Sequence, residues 1–334
     1  MATGEFDLQG LIDEAWERKD ASRPSRRLGA SSLGGPCDRA LFLKFHWVVN
    51  EHFKGRLLRL FDLGKREEDV MVENLKKAGI ALSFTGKDQV ELKLAPHVVS
   101  YPDGLITHFP PIPGENLVLE IKTMNTKDFE ELKKHGVKKT QREHYAQMQL
   151  EMKGMSDFLG KPVRYALYVV LNKNDSRIYC EIVEYDEDRV KLLLDRADNL
   201  VGMTELPPPL TADPNWYICK TCNYWNFCHL SHESFAVNCR TCAHSTPMPD
   251  GNWHCAMYQC PIPIEAQGKT NTCHCFNPSL VPYTLHEDMS TQWSACYEMP
   301  NGELIWNGFE GVPSTELWRT GRPQGETETQ NIPF

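Results

Sequence analysis

Three ionisable residues in one short stretch, YPDGLITHFPPIPGENLVLEIKT (101–123), are placed to do chemistry together. Asp103 precedes an apolar segment, and after a Pro/Gly turn the run LVLEIKT carries Glu120 and Lys122. Side chains along a strand alternate with a period of two, so Glu120 and Lys122 share one face and Ile121 points to the other. Charged residues rarely lie inside apolar runs unless they are paired or hold a metal. Two carboxylates and a lysine on a small β-element suit the binding of Mg²⁺ or Mn²⁺ and the activation of water beside a phosphate.

Two helices are expected to flank this stretch. LLRLFDLGKREEDVMVENLKKAG (57–79) has its apolar residues at helical spacing and carries Glu67 and Glu68 side by side, so only one of them can aim squarely at a site. Glu68 is the candidate, with a plain surface helix former as the alternative. Thr140–Met155 is strongly helical, and His144 and Gln147 lie three apart on one face, with Gln149 and Glu151 further along. Lys133, Lys134, Lys138, Lys139 and Arg142 form a positive cluster beside it, suited to a phosphate backbone or simply to a solvated surface.

The remaining elements follow from periodicity and punctuation. Residues 6–19, starting at Phe6, read as a short amphipathic helix. A basic loop with Arg23, Arg26 and Arg27 follows, and a helix starts near Asp38 with Arg39 beside it; all four arginines are candidate phosphate contacts. IALSFTGKDQVELKL (80–94) reads as a hairpin, and VRYALYVVLNKN with RIYCEIVEYD as two paired strands. A helix over DEDRVKLLLDRADNLVG precedes the Pro-rich ELPPPLTADPN, and GELIWNGFEGVPSTELW offers short strands or a turn.

Composition is that of an ordinary globular protein, with 41% hydrophobic and 24% charged residues in 334. That length accommodates one large domain and a smaller one. No apolar run reaches the roughly 18 residues of a membrane span, and MATGEFDLQG lacks the features of a signal peptide, so a cytoplasmic, membrane-free protein is expected. The net charge of −9 excludes a generally basic nucleic-acid coat but is uneven. Arg18 to Arg66 holds twelve Lys/Arg against four Asp/Glu, whereas Cys239 to the end holds four against ten.

Cysteine is concentrated late, with ten of the twelve from Cys219 onward, and metal binding explains this better than disulfides do. Cys219, Cys222 and Cys228 fall within CKTCNYWNFC and need a fourth ligand. His229 or His232 would suggest zinc, and Cys37 from far upstream would suit a [4Fe–4S] cluster. For Cys37 alone, a small buried hydrophobe is the alternative. A second group has the knuckle Cys239–Cys242, then Cys255, with the fourth ligand open among Cys260, Cys273 and Cys275; His254 and His274 are weaker candidates.

The order Glu68, Asp103 (PDG), Glu120–Ile121–Lys122 (LEIKT), then His144 and Gln147 (HYAQMQLEM) resembles the PD-(D/E)XK nuclease superfamily. The likeness is greatest to its RecB-type exonuclease branch, which includes the iron–sulfur nucleases of CRISPR adaptation and of AddB-type helicase–nucleases. It covers about residues 1–232. The resemblance implies an α/β, restriction-endonuclease-like core with a central mixed β-sheet flanked by helices, acting as a metal-dependent DNA exonuclease in phage or bacterial DNA recombination, repair or processing. An endonuclease of the same fold, or an inactive DNA-binding or assembly module, are the alternatives, and a purely structural zinc protein is a third.

Under that resemblance Asp103, Glu120, Glu68 and the Ile121 carbonyl hold Mg²⁺ or Mn²⁺, and Lys122 orients the attacking water. Gln147 and His144 position the phosphate or the lysine. Cys37, Cys219, Cys222 and Cys228 bind the [4Fe–4S] cluster that staples the nuclease domain. Arg66-Glu67-Glu68 departs from relatives with a His before the acidic residue, so no His ligand is expected there. Single-stranded DNA or duplex ends are the expected partner, with a homo-oligomer or a recombination partner protein left open. The late cysteines resemble a zinc-binding module of some phage and bacterial DNA-metabolism proteins, with Zn²⁺ on Cys239, Cys242, Cys255 and Cys273 or Cys275. The expected domains are 1–232, a zinc-binding 233–320 and a flexible 321–334.

Overall fold

In LVLEIKTM (117–124) the apolar Leu117, Leu119 and Ile121 alternate with Val118, Glu120 and Lys122, and the pleat sends the two sets to opposite faces. The computed structural model describes residues 7–19, 25–49, 53–230 and 236–320. Phe6, Arg23, His232 and the 321–334 tail lie outside the described residues. The chain divides into two compact units, Met1–Cys37 with Glu51–Val201 and Asp38–Asn50 with Gly202–Phe334.

The first unit begins with α1 (Leu8–Lys19), β1 (Leu28–Gly29) and α2 (Ala30–Leu33); α3 (Asp38–Phe45) belongs to the second unit. It resumes with α4 (Gly55–Lys77), β2 (Ala81–Ser83), β3 (Leu92–Ala95), β4 (Val98–Ser100), β5 (Gly104–His108) and β6 (Leu117–Met124). Then follow α5 (Thr126–His135), α6 (Val137–Thr140), α7 (Arg142–Leu159), β7 (Tyr165–Asn172), β8 (Ile178–Glu184) and α8 (Glu187–Gly202). The central sheet is mixed, in the order β2-β5-β6-β7-β8. Only β6 and β7 run parallel, and the connection between them carries α5 to α7, since parallel neighbours need a crossover.

Each face of β6 has its own core. Leu117, Leu119 and Ile121 cluster with Ile106, Leu167, Val169 and with Met71 and Val72 of α4. Val118 clusters on the opposite face with Tyr168, Val170 and with Met148, Met152 and Met155 of α7. A second sheet, ordered β1-β4-β3, packs on α7 from the other side. Sandwiched in this way, α7 is buried at almost every position from Tyr145 to Met155, including Gln147, Gln149 and Glu151. The close approach depends on small residues: a Cβ on Gly34 would sit 2.6 Å from Glu143 Cα and 2.8 Å from Ala146 Cβ.

Residues 80–94 do not form the expected hairpin. β2 pairs with β5 in the central sheet, whereas β3 pairs with β4 in the small one. Phe84 and Gly86 take positive φ, and a 3₁₀ turn over Gly86–Asp88 redirects the chain between sheets instead of reversing it.

In the second unit, the short α9 (Tyr217–Lys220) and α10 (Trp225–His229) precede two small sheets. The first contains β9 (Ser245–Pro247), β10 (Trp253–Cys255) and β11 (Cys260–Ile262), followed by α11 (Ile264–Gln267). The second contains β12 (Thr284–His286), β13 (Ser294–Glu298) and β14 (Leu304–Gly308), closed by α12 (Ser314–Thr320). Arg240 joins α3 to this unit. Its guanidinium lies 3.8 Å from the Trp47 ring centre and 4.9 Å from that of Trp253, and it donates to the Phe45 carbonyl (3.0 Å) and to Gln267 Oε1 (2.9 Å). His46 Nδ1 donates to the Arg240 carbonyl (2.8 Å).

Gly34→Ala should therefore overpack the α7 contact and cost about 1–3 kcal/mol of stability. Gly202→Ala, whose added Cβ meets nothing within 4 Å, should be close to neutral. Urea unfolding of the two variants tests this, and equal midpoints would contradict the packing assigned to Gly34.

Candidate active site

β6 presents Glu120 and Lys122 toward α7, as the strand period requires, and the Lys122 ammonium is paired with Glu120 Oε1. Asp103 comes from the turn before β5. Its Oδ2 accepts the backbone N–H of Ile121 at 2.6 Å, which locks the two strands where their ladder ends. The N–H and C=O of one strand residue point to the same side, so the Ile121 carbonyl also faces the Asp103 side, while its side chain is in the α4 core. Glu68, half-buried on α4, accepts from Gln89 Nε2 at 3.2 Å and lies within electrostatic reach of Asp103 and Lys122.

A fourth carboxyl completes the group. Glu151 on α7 is fully buried, and its Oε1 accepts from Ser100 Oγ (2.7 Å) and Gln147 Nε2 (2.9 Å). Gln147 thus ties to Glu151 one helical turn on. His144 Nδ1 pairs with Tyr168 OH at 2.5 Å. Gln149 is a structural tie, donating to the Glu184 carbonyl and accepting from Asp186 N–H. Glu151, Ser100 and Tyr168 were not among the sequence-derived site residues. The available signal was a glutamate one helical turn after Gln147 inside an apolar run.

Crowding carboxyls away from water makes ionisation costly. Burial, then Glu120, holds Asp103 well above its ordinary range. Burial and the neighbouring Glu151 push Glu120 up to about 8, partly opposed by Lys122. Burial raises Glu151 to about 7 against its hydrogen bonds from Gln147 and Ser100. Burial disfavours the Lys122 charge, but Glu120 and Asp103 outweigh it and the ammonium is held above its usual range. Burial and then Lys122 lower His144 to about 3, so its ring is neutral.

Glu120 Oε2 and Glu151 Oε2 are buried with no hydrogen-bond partner among the described residues. An unpartnered buried carboxylate oxygen invites a cation, and the all-oxygen set of Asp103, Glu120, Glu68 and the Ile121 carbonyl fits a hard divalent ion. Among the described residues, no three His, Cys, Asp or Glu side chains are already drawn together as a ligand set. Lys122 and the Ile121 N–H occupy one oxygen each of Glu120 and Asp103.

Of the other predicted residues, Lys133, Lys134, Lys138, Lys139 and Arg142 are exposed, with Lys138 paired to Asp186. Arg27 pairs with Glu91, and Arg39 donates to the Pro207 carbonyl. Cys37 ends the first segment of the first unit, and Cys219, Cys222 and Cys228 belong to the second. Cys239, Cys242, Cys255 and Cys273 line one small cavity of the second unit. Cys275 instead packs in the apolar cluster with Phe276 and Tyr297, and Cys260 is exposed. No two of the twelve cysteines form a disulfide. No helix among the described residues is long and apolar enough to cross a membrane.

No protein-family model matches the chain, and no curated protein matches it. Among solved structures, the alkaline exonuclease LHK-Exo from Laribacter hongkongensis is similar over 56% of this chain and 90% of its own, at 18% identity and TM-score 0.38. The same enzyme in complex with dAMP gives a TM-score of 0.39. The protein SSO0001 is similar over 67% of this chain and 98% of its own, at 14% identity and TM-score 0.39. Overlap at this level carries no weight for the chemistry, which rests on the geometry above.

The raised carboxyls give a signed pH dependence. Glu120 and Glu151 keep protons in the folded chain up to about 8 and 7, whereas the unfolded chain releases them near 4.5. The folded state thus binds more protons across that window, and metal-free stability should fall as pH rises through it. Mn²⁺, by neutralising the ionised oxygens, should flatten the slope. Urea midpoints across that pH range, with chelator and with Mn²⁺, test this; a stability that rises with pH in chelator would contradict it.

Proposed function

We propose that the first unit is a metal-dependent deoxyribonuclease with a restriction-endonuclease-like core and the PD-(D/E)XK arrangement of residues. One observation carries the reading: Asp103, just before β5, meets Glu120 and Lys122 of β6 where the β5–β6 ladder ends, with Glu120 Oε2 buried and without a hydrogen-bond partner among the described residues. A divalent ion, Mg²⁺ or Mn²⁺, on Asp103, Glu120, the Ile121 carbonyl and Glu68 supplies a Lewis acid and water of lowered pKa. Lys122, paired with Glu120, would orient the attacking water and balance charge on the phosphate. Glu151, fixed by Ser100 and Gln147, lies close enough to Glu120 to raise its proton affinity. Neutral His144 braces Tyr168 beside them.

The exposed basic cluster of Lys133, Lys134, Lys139 and Arg142 is suited to hold the DNA backbone, single-stranded or at a duplex end. Exonucleolytic action, in phage or bacterial DNA recombination, repair or processing, is the preferred form of the reading on the RecB-type resemblance. The same resemblance makes Cys37 with Cys219, Cys222 and Cys228 the ligands of a [4Fe–4S] cluster.

The test is degradation of end-labelled linear DNA and of circular DNA by the full chain with Mn²⁺, Mg²⁺ or chelator. Metal-dependent shortening of linear but not circular DNA is expected, and loss of the circles would make it an endonuclease. Lys122→Ala should lower cleavage by about 10²–10³-fold while leaving DNA affinity within a few-fold. Full turnover in that variant, or in chelator, would remove the assignment.

A further inference from the structure

We propose that Cys239, Cys242, Cys255 and Cys273 form a tetrahedral zinc–thiolate site in the second unit, with Cys260 and Cys275 outside it. This assignment is independent of the nuclease reading. The four cysteines come from three separate places: a 3₁₀ turn (Cys239–Thr241) and the residue after it, the end of β10, and the segment before Phe276. They nevertheless line one cavity of about 30 Å³ with His244 and Asn271. Cys239 lies within electrostatic reach of Cys255, Cys273 and Cys242. Tetrahedral zinc takes four ligands at about 2.3 Å from sulfur, and a CxxC pair with two later cysteines is a common source of them.

Three further observations point to a ligand. The backbone of Cys275 and of His244 favours the charged form of the Cys242 sulfur, and Asn271 Nδ2 donates to Cys239 Sγ at 3.5 Å. Such donors outside the ligand set stabilise sulfur carrying thiolate charge. His244 Nε2 and Ser245 Oγ, both of lining residues, are buried without a hydrogen-bond partner among the described residues. The surrounding segment is also rich in Pro and polar residues and short of apolar side chains, so a metal would supply folding free energy that its core does not.

The alternatives that the spacing left open are separated by position. Cys260 faces Cys255 across the β10–β11 ladder but is exposed and does not line the cavity. Cys275, though within electrostatic reach of Cys242, does not line the cavity and is buried in the apolar cluster of Phe276, Tyr297 and Ile305. The four sulfurs are not already gathered on one point. Neutral thiols do not attract one another, and side-chain rotation within the shared cavity would bring them onto an ion. Binding Zn²⁺ would release four thiol protons and leave the site with a net charge of −2.

The test uses the full chain expressed with zinc, with metal content measured by mass spectrometry and Co²⁺ exchanged in for visible spectroscopy. Wild type should hold about one zinc per chain and give the thiolate charge-transfer and d–d bands of tetrahedral cobalt. Ser replacements at Cys239, Cys242, Cys255 and Cys273 should each abolish that zinc. Cys260→Ser, His244→Ala and a combined Cys219→Ser/Cys222→Ser/Cys228→Ser variant should retain it. Alkylation of wild type keeps the test decisive if a variant does not fold: chelator should unmask those four thiols together. Zinc lost on replacing Cys260 or His244, zinc retained without Cys273, or labelling unchanged by chelator would overturn the site.

Discussion

The first unit depends on keeping three carboxyls, of Asp103, Glu120 and Glu151, and the Lys122 ammonium out of water beside β6 and α7. Isolated buried charges are costly, and removing one partner of a buried pair costs more than the pair contributes. Glu120 is bound to Lys122, Asp103 to the Ile121 N–H, and Glu151 to Ser100 and Gln147. The enclosing architecture follows from that need. α7 is held on one side by the central sheet and on the other by β3 and β4, so its polar stripe has nowhere to meet solvent. Among the described residues of this site, one oxygen each of Glu120 and Glu151 is left without a hydrogen-bond partner.

Much of this was legible in the sequence because it is local. A period of two separates Glu120 and Lys122 from Ile121 without reference to any other element, and helical spacing was enough to place α4, α7 and α8. The parts that were not legible depend on partners distant in the chain. Glu151 stood out only as a glutamate in an apolar run, and its meaning rests on Ser100, 51 residues earlier. Helical spacing places Gln147 beside His144, whereas its hydrogen bond to that same glutamate is visible only in the structure. The 80–94 segment has the alternation of a hairpin, and only the competing partners β5 and β4 divide it between two sheets.

The same limit applies to the second unit. A lone arginine between Cys239 and Cys242 says nothing in sequence about α3, yet Phe45, Trp47 and Trp253 close around it and draw residues 38–50 into that unit. Spacing left Cys260, Cys273 and Cys275 equivalent as ligands. Position separates them: Cys273 lines the cavity, Cys275 is buried in the apolar cluster and Cys260 is exposed. The two proposed metal sites would use different kinds of donor, oxygen in the first unit and sulfur in the second, as ligand hardness would sort them.

The central claim is that the buried oxygens between β6 and α7 are there for a divalent ion. Calorimetric titration of the metal-free full chain with Mn²⁺ tests it most directly, with Asp103→Asn and Glu120→Gln alongside. The account predicts saturable uptake by wild type that disappears in both variants, each still folded by circular dichroism. Uptake unchanged in the two variants, or none in wild type, would contradict it.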